Sequence, residues 1–165
     1  MNSGPLRIWL DRSGRLLRLR LARPKANIID AAMIGSLAAA LQQHRGRAHL
    51  AAVLLDADGP HFSFGASVEE HLPKKCAPML AEFHALLQAM LDFPAPILVA
   101  VRGQCLGGGL ELASAGSLVF ATPDARLGQP EITLGVIAPA ASCLLSARIG
   151  PGAANDLLLS GRSVD

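Results

Sequence analysis

Leucine alternates with arginine at the start of the chain. Leu17, Leu19 and Leu21 fall on one side and Arg18 and Arg20 on the other, the two-residue period of a half-buried strand. Arg23-Pro24-Lys25-Ala26-Asn27 breaks the pattern with a turn, and Asp30 is placed to cap a helix whose apolar face is Ile34, Leu37 and Leu41. Ala51 to Leu55 is a short apolar run, read as a strand, that empties into the loop Asp56-Ala57-Asp58-Gly59-Pro60. Met79, Leu80, Phe83, Leu86, Leu87, Met90 and Leu91 recur at helical spacing, the longest helix signal in the chain, and Pro94 and Pro96 end it. Beyond them the pattern predicts a buried strand over 97–101, a helix over 107–115, a strand over 118–121, and helices over 140–149 and 153–159, the last stopped by Gly161. Strands alternating with helices imply an α/β layer architecture. No linker, low-complexity stretch or internal repeat interrupts it, so residues 1–165 read as one domain.

Composition narrows the class. Apolar residues make up 51% of the 165 and charged residues 17%, the balance of a compact globular protein. The formal net charge is +2 and the basic residues are scattered. Their densest cluster, His44, Arg45, Arg47 and His49, has no interleaved aromatics and reads as a solvated helix end, so no nucleic-acid partner is expected. Cys76, Cys105 and Cys143 are odd in number and far apart, which argues against a zinc site or a disulfide framework and for a reduced, cytoplasmic setting. The N-terminal MNSGPLRIW lacks the regions of a signal peptide, and no apolar run is long enough to span a bilayer, so no membrane partner is expected. The five histidines show no ligand spacing and most read as surface residues.

Two loops share one design. In Phe62-Ser63-Phe64-Gly65-Ala66-Ser67-Val68-Glu69-Glu70, Ser67 and Glu70 have the spacing of a capping box, which would start a helix just after Gly65-Ala66 and leave its free N–H groups facing the neighbourhood of Ala66. In Gly103-Gln104-Cys105-Leu106-Gly107-Gly108-Gly109-Leu110-Glu111 a strand runs into three glycines and then a helix, letting backbone N–H groups approach a ligand closely. Two such N–H groups meeting at one oxygen would form an oxyanion hole, although each loop alone is equally an ordinary tight turn. The glycine run matches neither the dinucleotide fingerprint nor a P-loop, and no G-x-S-x-G elbow occurs. Glu111 and Glu131 both lie in apolar surroundings, where burial and mutual repulsion separate carboxyl pKa values for acid–base work. A lone glutamate in such a stretch is as readily a partly exposed side chain.

These segments resemble a known family. Gln104 to Ala113 is similar to the crotonase signature, Gly128-Gln129-Pro130-Glu131-Ile132-Thr133-Leu134-Gly135 to the segment that follows it, and Leu21 to Asn27 to the family's N-terminal turn, in order along the chain. The resemblance implies a crotonase-like spiral of ββα units that binds acyl-CoA. It implies that the N–H groups of Ala66 and Gly108 hold the thioester oxygen. Lys25, Ala26, Phe64, Gly65, Ser67, Val68, Leu106, Gly107 and Pro130 would surround the substrate. Glu111 and Glu131 stand at both glutamate positions of the family's hydratases, which favours addition of water to a conjugated thioester, with the choice of acid and base left open. CoA would be part of the substrate, with no cofactor and no metal.

Two features depart from the common pattern. Ser67 stands where many members have aspartate, and Gly135 to Leu145 replaces a Pro-Gly-rich stretch. With the segment from Phe62 to Pro73, they resemble the branch that hydrates a cyclic dienoyl-CoA. The family's C-terminal helices, which cover the acyl pocket and build trimers or hexamers, have no counterpart before Asp165. An enoyl-CoA isomerase and a non-catalytic acyl-CoA-binding module are the alternative readings.

Overall fold

A computed structural model of the chain describes residues 4–72 and 74–165. Pro73 and the first three residues of the N-terminal segment lie outside the described residues. Five strands form the main sheet in the order β1 (Leu6–Asp11), β2 (Leu16–Leu21), β3 (Ala52–Ala57), β4 (Ile97–Val101) and β6 (Leu118–Ala121). β1 and β2 are an antiparallel hairpin and every later pairing in this sheet is parallel. A second, three-stranded sheet joins β5 (Gln104–Leu106), β7 (Arg126–Gly128) and β8 (Ser163–Val164).

The leucine–arginine alternation sorts the two faces of the main sheet. Leu17 pairs with Val53 and Val53 with Ile97, while Leu19 pairs with Leu55 and Leu55 with Val99, giving buried apolar rows across three strands. Helix α1 (Ala31–His44) adds Met33, Ile34, Leu37 and Leu41 to that core, and helix α2 (Cys76–Leu91) adds Phe83, Leu86, Leu87 and Met90. Asp30 caps α1 as its position predicts, its carboxylate accepting the Met33 N–H at 2.9 Å. On the other face Arg20 grips Asp56 through two hydrogen bonds of 2.7 and 2.6 Å, and Arg18 reaches the same carboxylate at 3.1 Å. Both guanidinium groups lie over Trp9 of β1, 5.1 and 5.3 Å from its ring centre.

Two expectations need correction. The capping box does not form. Ser67 makes no side-chain cap, residues Val68–His71 are a short 3-10 turn, and the Glu70 carboxylate instead accepts the Ala31 N–H at 3.0 Å, across at the start of α1. His44 is buried rather than solvated, because the last turn of α1 packs into the core, and burial with the nearby Arg47 charge pushes its pKa down. The two C-terminal helices form as expected, within one stretch, α4 (Pro139–Ser160), that is broken between them at Gly150, whose φ of 78° and ψ of 158° are not helical. The strand expected over 118–121 forms as β6, at an exposed sheet edge with Leu118 and Phe120 more than half accessible. Gly161 does end α4, in the left-handed conformation at φ 68°.

Candidate active site

The loop that carries Ala66 is stitched between two segments. Ser63 pairs with β5, its N–H donating to the Gln104 carbonyl at 3.0 Å and its carbonyl accepting the Leu106 N–H at 3.0 Å. Three residues on, Ala66 bridges to Ile29: the Ile29 N–H donates to the Gly65 carbonyl at 2.9 Å and the Ser67 N–H to the Ile29 carbonyl at 3.3 Å. In this parallel pattern the N–H of Ala66 itself points away from Ile29. The other side is helix α3 (Gly108–Ser114), entered through Gly107 at φ 51° and ψ −127°, a region that glycine alone populates freely.

The three glycines allow close approach. A Cβ on Gly108 would lie 3.0 Å from the Ala66 nitrogen, on Gly109 2.7 Å from the Ser63 Cβ, and on Gly107 2.5 Å from Glu131 Oε1. The Ala66 and Gly108 backbones are therefore side by side, as the loop design predicts. Among the described residues neither N–H donates to a protein acceptor. Gly108 is the first residue of α3, where helical N–H groups have no partner within the helix.

Both glutamates come to this place. Glu111, one turn into α3, is 6% exposed, and its Oε1 accepts the N–H of Ala141 in the first turn of α4 at 2.8 Å. Glu131 lies in a 3-10 turn, Pro130–Leu134, directly beyond Gly107. With its amide nitrogen facing the carboxylate, buried Gln129 donates to Glu131 Oε2 at 2.9 Å. Burial raises the pKa of Glu111, against the pull of the Ala141 and Ala140 N–H groups. Burial also raises that of Glu131, and the Glu111 charge raises it further. The imidazole of His71 acts on both carboxyls, its charge lowering each pKa, while its Nδ1 sits 2.7 Å from the Ser67 carbonyl oxygen.

The other expected substrate contacts fall around this centre. The Ala26 carbonyl accepts the Phe64 N–H at 2.9 Å, which sets exposed Lys25 beside the same loop. Phe64 and Val68 are exposed next to Gly65 and Ser67, Leu106 leads into Gly107, and Pro130 opens the turn of Glu131. A cavity of about 250 Å³ begins at Glu131 and is walled by Ile132, Val136, Ile137, Leu158 and Leu159. Sequence reading did not single out His71, which is exposed, nor Ser63 and Asn27, whose part is visible only in hydrogen bonds between distant segments. Among the described residues no three His, Cys, Asp or Glu side chains group as a metal site, and no helix is long and apolar enough to cross a membrane.

The family profile for enoyl-CoA hydratase/isomerase matches residues 11–165. The chain belongs to that family. Within the enoyl-CoA hydratase/isomerase family it is 67% identical over 163 residues to the cyclohexa-1,5-dienecarbonyl-CoA hydratase of Thauera aromatica, covering 99% of this chain and 63% of that protein. It is 34% identical over 151 residues to a probable enoyl-CoA hydratase of Bacillus subtilis (strain 168), covering 88% of this chain and 58% of that one. The crystal structure of an enoyl-CoA hydratase from Mycobacterium smegmatis superposes with a TM-score of 0.92 at 28% identity, over 98% of this chain and 65% of that chain. The fold is thus the crotonase-like α/β fold of the family, and the chain spans about 63% of the length of the Thauera relative.

Proposed function

We propose that this chain is the catalytic core of a hydratase that adds water to a conjugated enoyl- or dienoyl-CoA thioester, with cyclohexa-1,5-diene-1-carbonyl-CoA as substrate. The observation that carries the reading is the meeting of two N–H donors, Ala66 and Gly108, with two carboxyls, the buried Glu111 and the half-buried Glu131, around the gap left by Gly107. The 67% identity to the Thauera hydratase supports the cyclic substrate. So does the cavity beside Glu131, lined by apolar side chains together with Gln129, Ser142 and Asn155, whose volume of about 250 Å³ has room for a six-membered ring.

In this scheme the thioester oxygen sits between the Ala66 and Gly108 N–H groups. They stabilise the negative charge that gathers on it as the conjugated carbon is attacked, and a single donor of this kind is worth roughly 10²–10³ in rate. The two carboxyls divide the proton work. Glu111 faces the Ala141 and Ala140 N–H groups at a helix start, which favours its ionised form. Its charge in turn keeps the proton on Glu131. Glu111 then accepts a proton from the attacking water and Glu131 supplies one to the substrate carbon, each step worth roughly 10²–10⁴. CoA is part of the substrate and the scheme requires no cofactor. The longer family protein assembles, in this reading, as a trimer or hexamer in the cytoplasm.

The test is loss of dienoyl absorbance when the protein meets cyclohexa-1,5-diene-1-carbonyl-CoA, with crotonyl-CoA alongside. Hydration of the cyclic thioester, lost in both Glu111→Gln and Glu131→Gln, is the expected result. Double-bond migration without water uptake, surviving one of the two substitutions, would make the protein an isomerase instead. Binding without any turnover would leave an acyl-CoA-binding module.

A further inference from the structure

Ser63 is fully buried, and the scheme above uses none of its chemistry. Its hydroxyl donates to the Asn27 carbonyl at 2.8 Å and accepts the Gly65 N–H at 3.0 Å. Asn27 is equally buried and is itself anchored on three sides. Its side chain donates to the carbonyls of Asp58 at 2.9 Å and His61 at 3.0 Å, and accepts the Arg23 N–H at 2.9 Å. The Ser63 hydroxyl therefore ties the Gly65 backbone to a fixed scaffold of three chain segments.

That tie bears on Ala66. A trans peptide is planar, so the Gly65 carbonyl and the Ala66 N–H point in opposite directions. The Ile29 N–H holds that carbonyl at 2.9 Å, and Ser63 holds the N–H on the other side of the Gly65 α-carbon at 3.0 Å. Between them the two bonds fix both torsions that aim the Ala66 N–H. Gly65 needs such fixing, since its φ of 106° lies where glycine moves freely and no side chain locks it. The same serine also touches the other donor's helix: a Cβ on Gly109 would meet the Ser63 Cβ at 2.7 Å, so Ser63 packs directly against the turn that starts with Gly108.

We propose that Ser63 is a positioning residue for the thioester oxygen, setting the aim of the Ala66 N–H and its spacing from the Gly108 N–H. This rests on reading that pair as an oxyanion hole. A misplacement of about 1 Å at such a centre costs roughly 10²-fold in rate.

The probe is cinnamoyl-CoA, whose absorbance moves to the red when its carbonyl is polarised, together with turnover of the cyclic dienoyl thioester. Ser63→Ala removes both hydrogen bonds, and Ser63→Cys keeps a weaker donor and acceptor at the same place. Expected for Ser63→Ala are a kcat lower by roughly 10–100-fold, a KM and a thioester Kd within about twofold of the parent, and a smaller red shift. Ser63→Cys should fall between the two, and it carries the test if Ser63→Ala does not fold. A merely structural serine would lower Tm while leaving the red shift per bound thioester unchanged, and that result would overturn the proposal. No red shift in the parent protein would instead sink the oxyanion-hole reading beneath it.

Discussion

The Glu111 carboxylate accepts the N–H of Ala141 at 2.8 Å, joining the glycine-rich helix to the first turn of a helix thirty residues further on. Glu111→Gln keeps an oxygen for this bond and removes the ionisable proton site. Hydration should fall by roughly 10²–10⁴ while far-ultraviolet circular dichroism stays unchanged. Stability should move the other way. Burial raises the Glu111 pKa, so the folded state binds its proton more tightly than the unfolded chain. Wild-type stability therefore falls as pH climbs from the ordinary carboxyl range through the raised folded value. The glutamine variant escapes that loss. Its Tm should exceed that of the parent at neutral pH and converge with it in acid, where a kcal/mol is worth roughly 2–4 °C for a chain of this size.

Gly107→Ala and Gly108→Ala should separate two faults. At Gly107 the new methyl meets Glu131 Oε1 at 2.5 Å on a backbone that side chains avoid, so both Tm and kcat should drop. At Gly108 φ is unexceptional and the methyl arrives 3.0 Å from the Ala66 nitrogen. That variant should keep most of its stability and lose turnover by roughly 10²-fold, as expected for a blocked oxyanion donor. Parallel thermal melts and initial rates check both.

The pH profile should report His71. With Glu111 as base and Glu131 as acid, the acidic limb of kcat/KM follows ionisation of Glu111 and the alkaline limb loss of the Glu131 proton. Both limbs should lie above the ordinary carboxyl range, because burial raises both groups. The charge of His71 lowers both. His71→Ala should therefore move the acidic limb upward, and the displacement should shrink as salt is added. A limb that stays in place would show that His71 does not act on the site.

Asp30→Ala tests the scaffold rather than the chemistry. It removes the 2.9 Å cap to the Met33 N–H and should cost about 1 kcal/mol. The midpoint of a urea titration should fall without a change in slope.

Local patterns made most of the fold legible. The alternation at Leu17, Leu19 and Leu21, the Asp30 cap and the apolar stripe from Met79 to Met90 are each written within a few residues, and each recurs in the structure. What escaped is what depends on partners far away in the chain. β1 escaped because its residues earn their place by pairing with β2 and by offering Trp9 to two arginines. β7 and β8 are two or three residues long, too short to show a period. The capping box failed because Glu70 found a better use at the Ala31 N–H, a competitor invisible in the local spacing. The glutamates and glycines of the site were legible as ingredients and through the family resemblance. Their meeting was not, since it depends on Gly107 facing Glu131 and on α4 starting at Glu111.

The glycine run of the site looks like the least informative stretch in the chain, three identical letters. Yet each faces a different group: Gly107 the Glu131 carboxyl, Gly108 the Ala66 nitrogen, Gly109 the Ser63 side chain. The three are not interchangeable, and the count matters as much as the composition. Deleting one would advance every later residue of the helix by one position, turning Glu111 by roughly 100° about the axis. Glu111 would swing away from Ala141, and a leucine would arrive where a carboxylate belongs. The run works as a reading frame for the helix behind it, tolerant of almost no insertion or deletion even where the surrounding loops could absorb one.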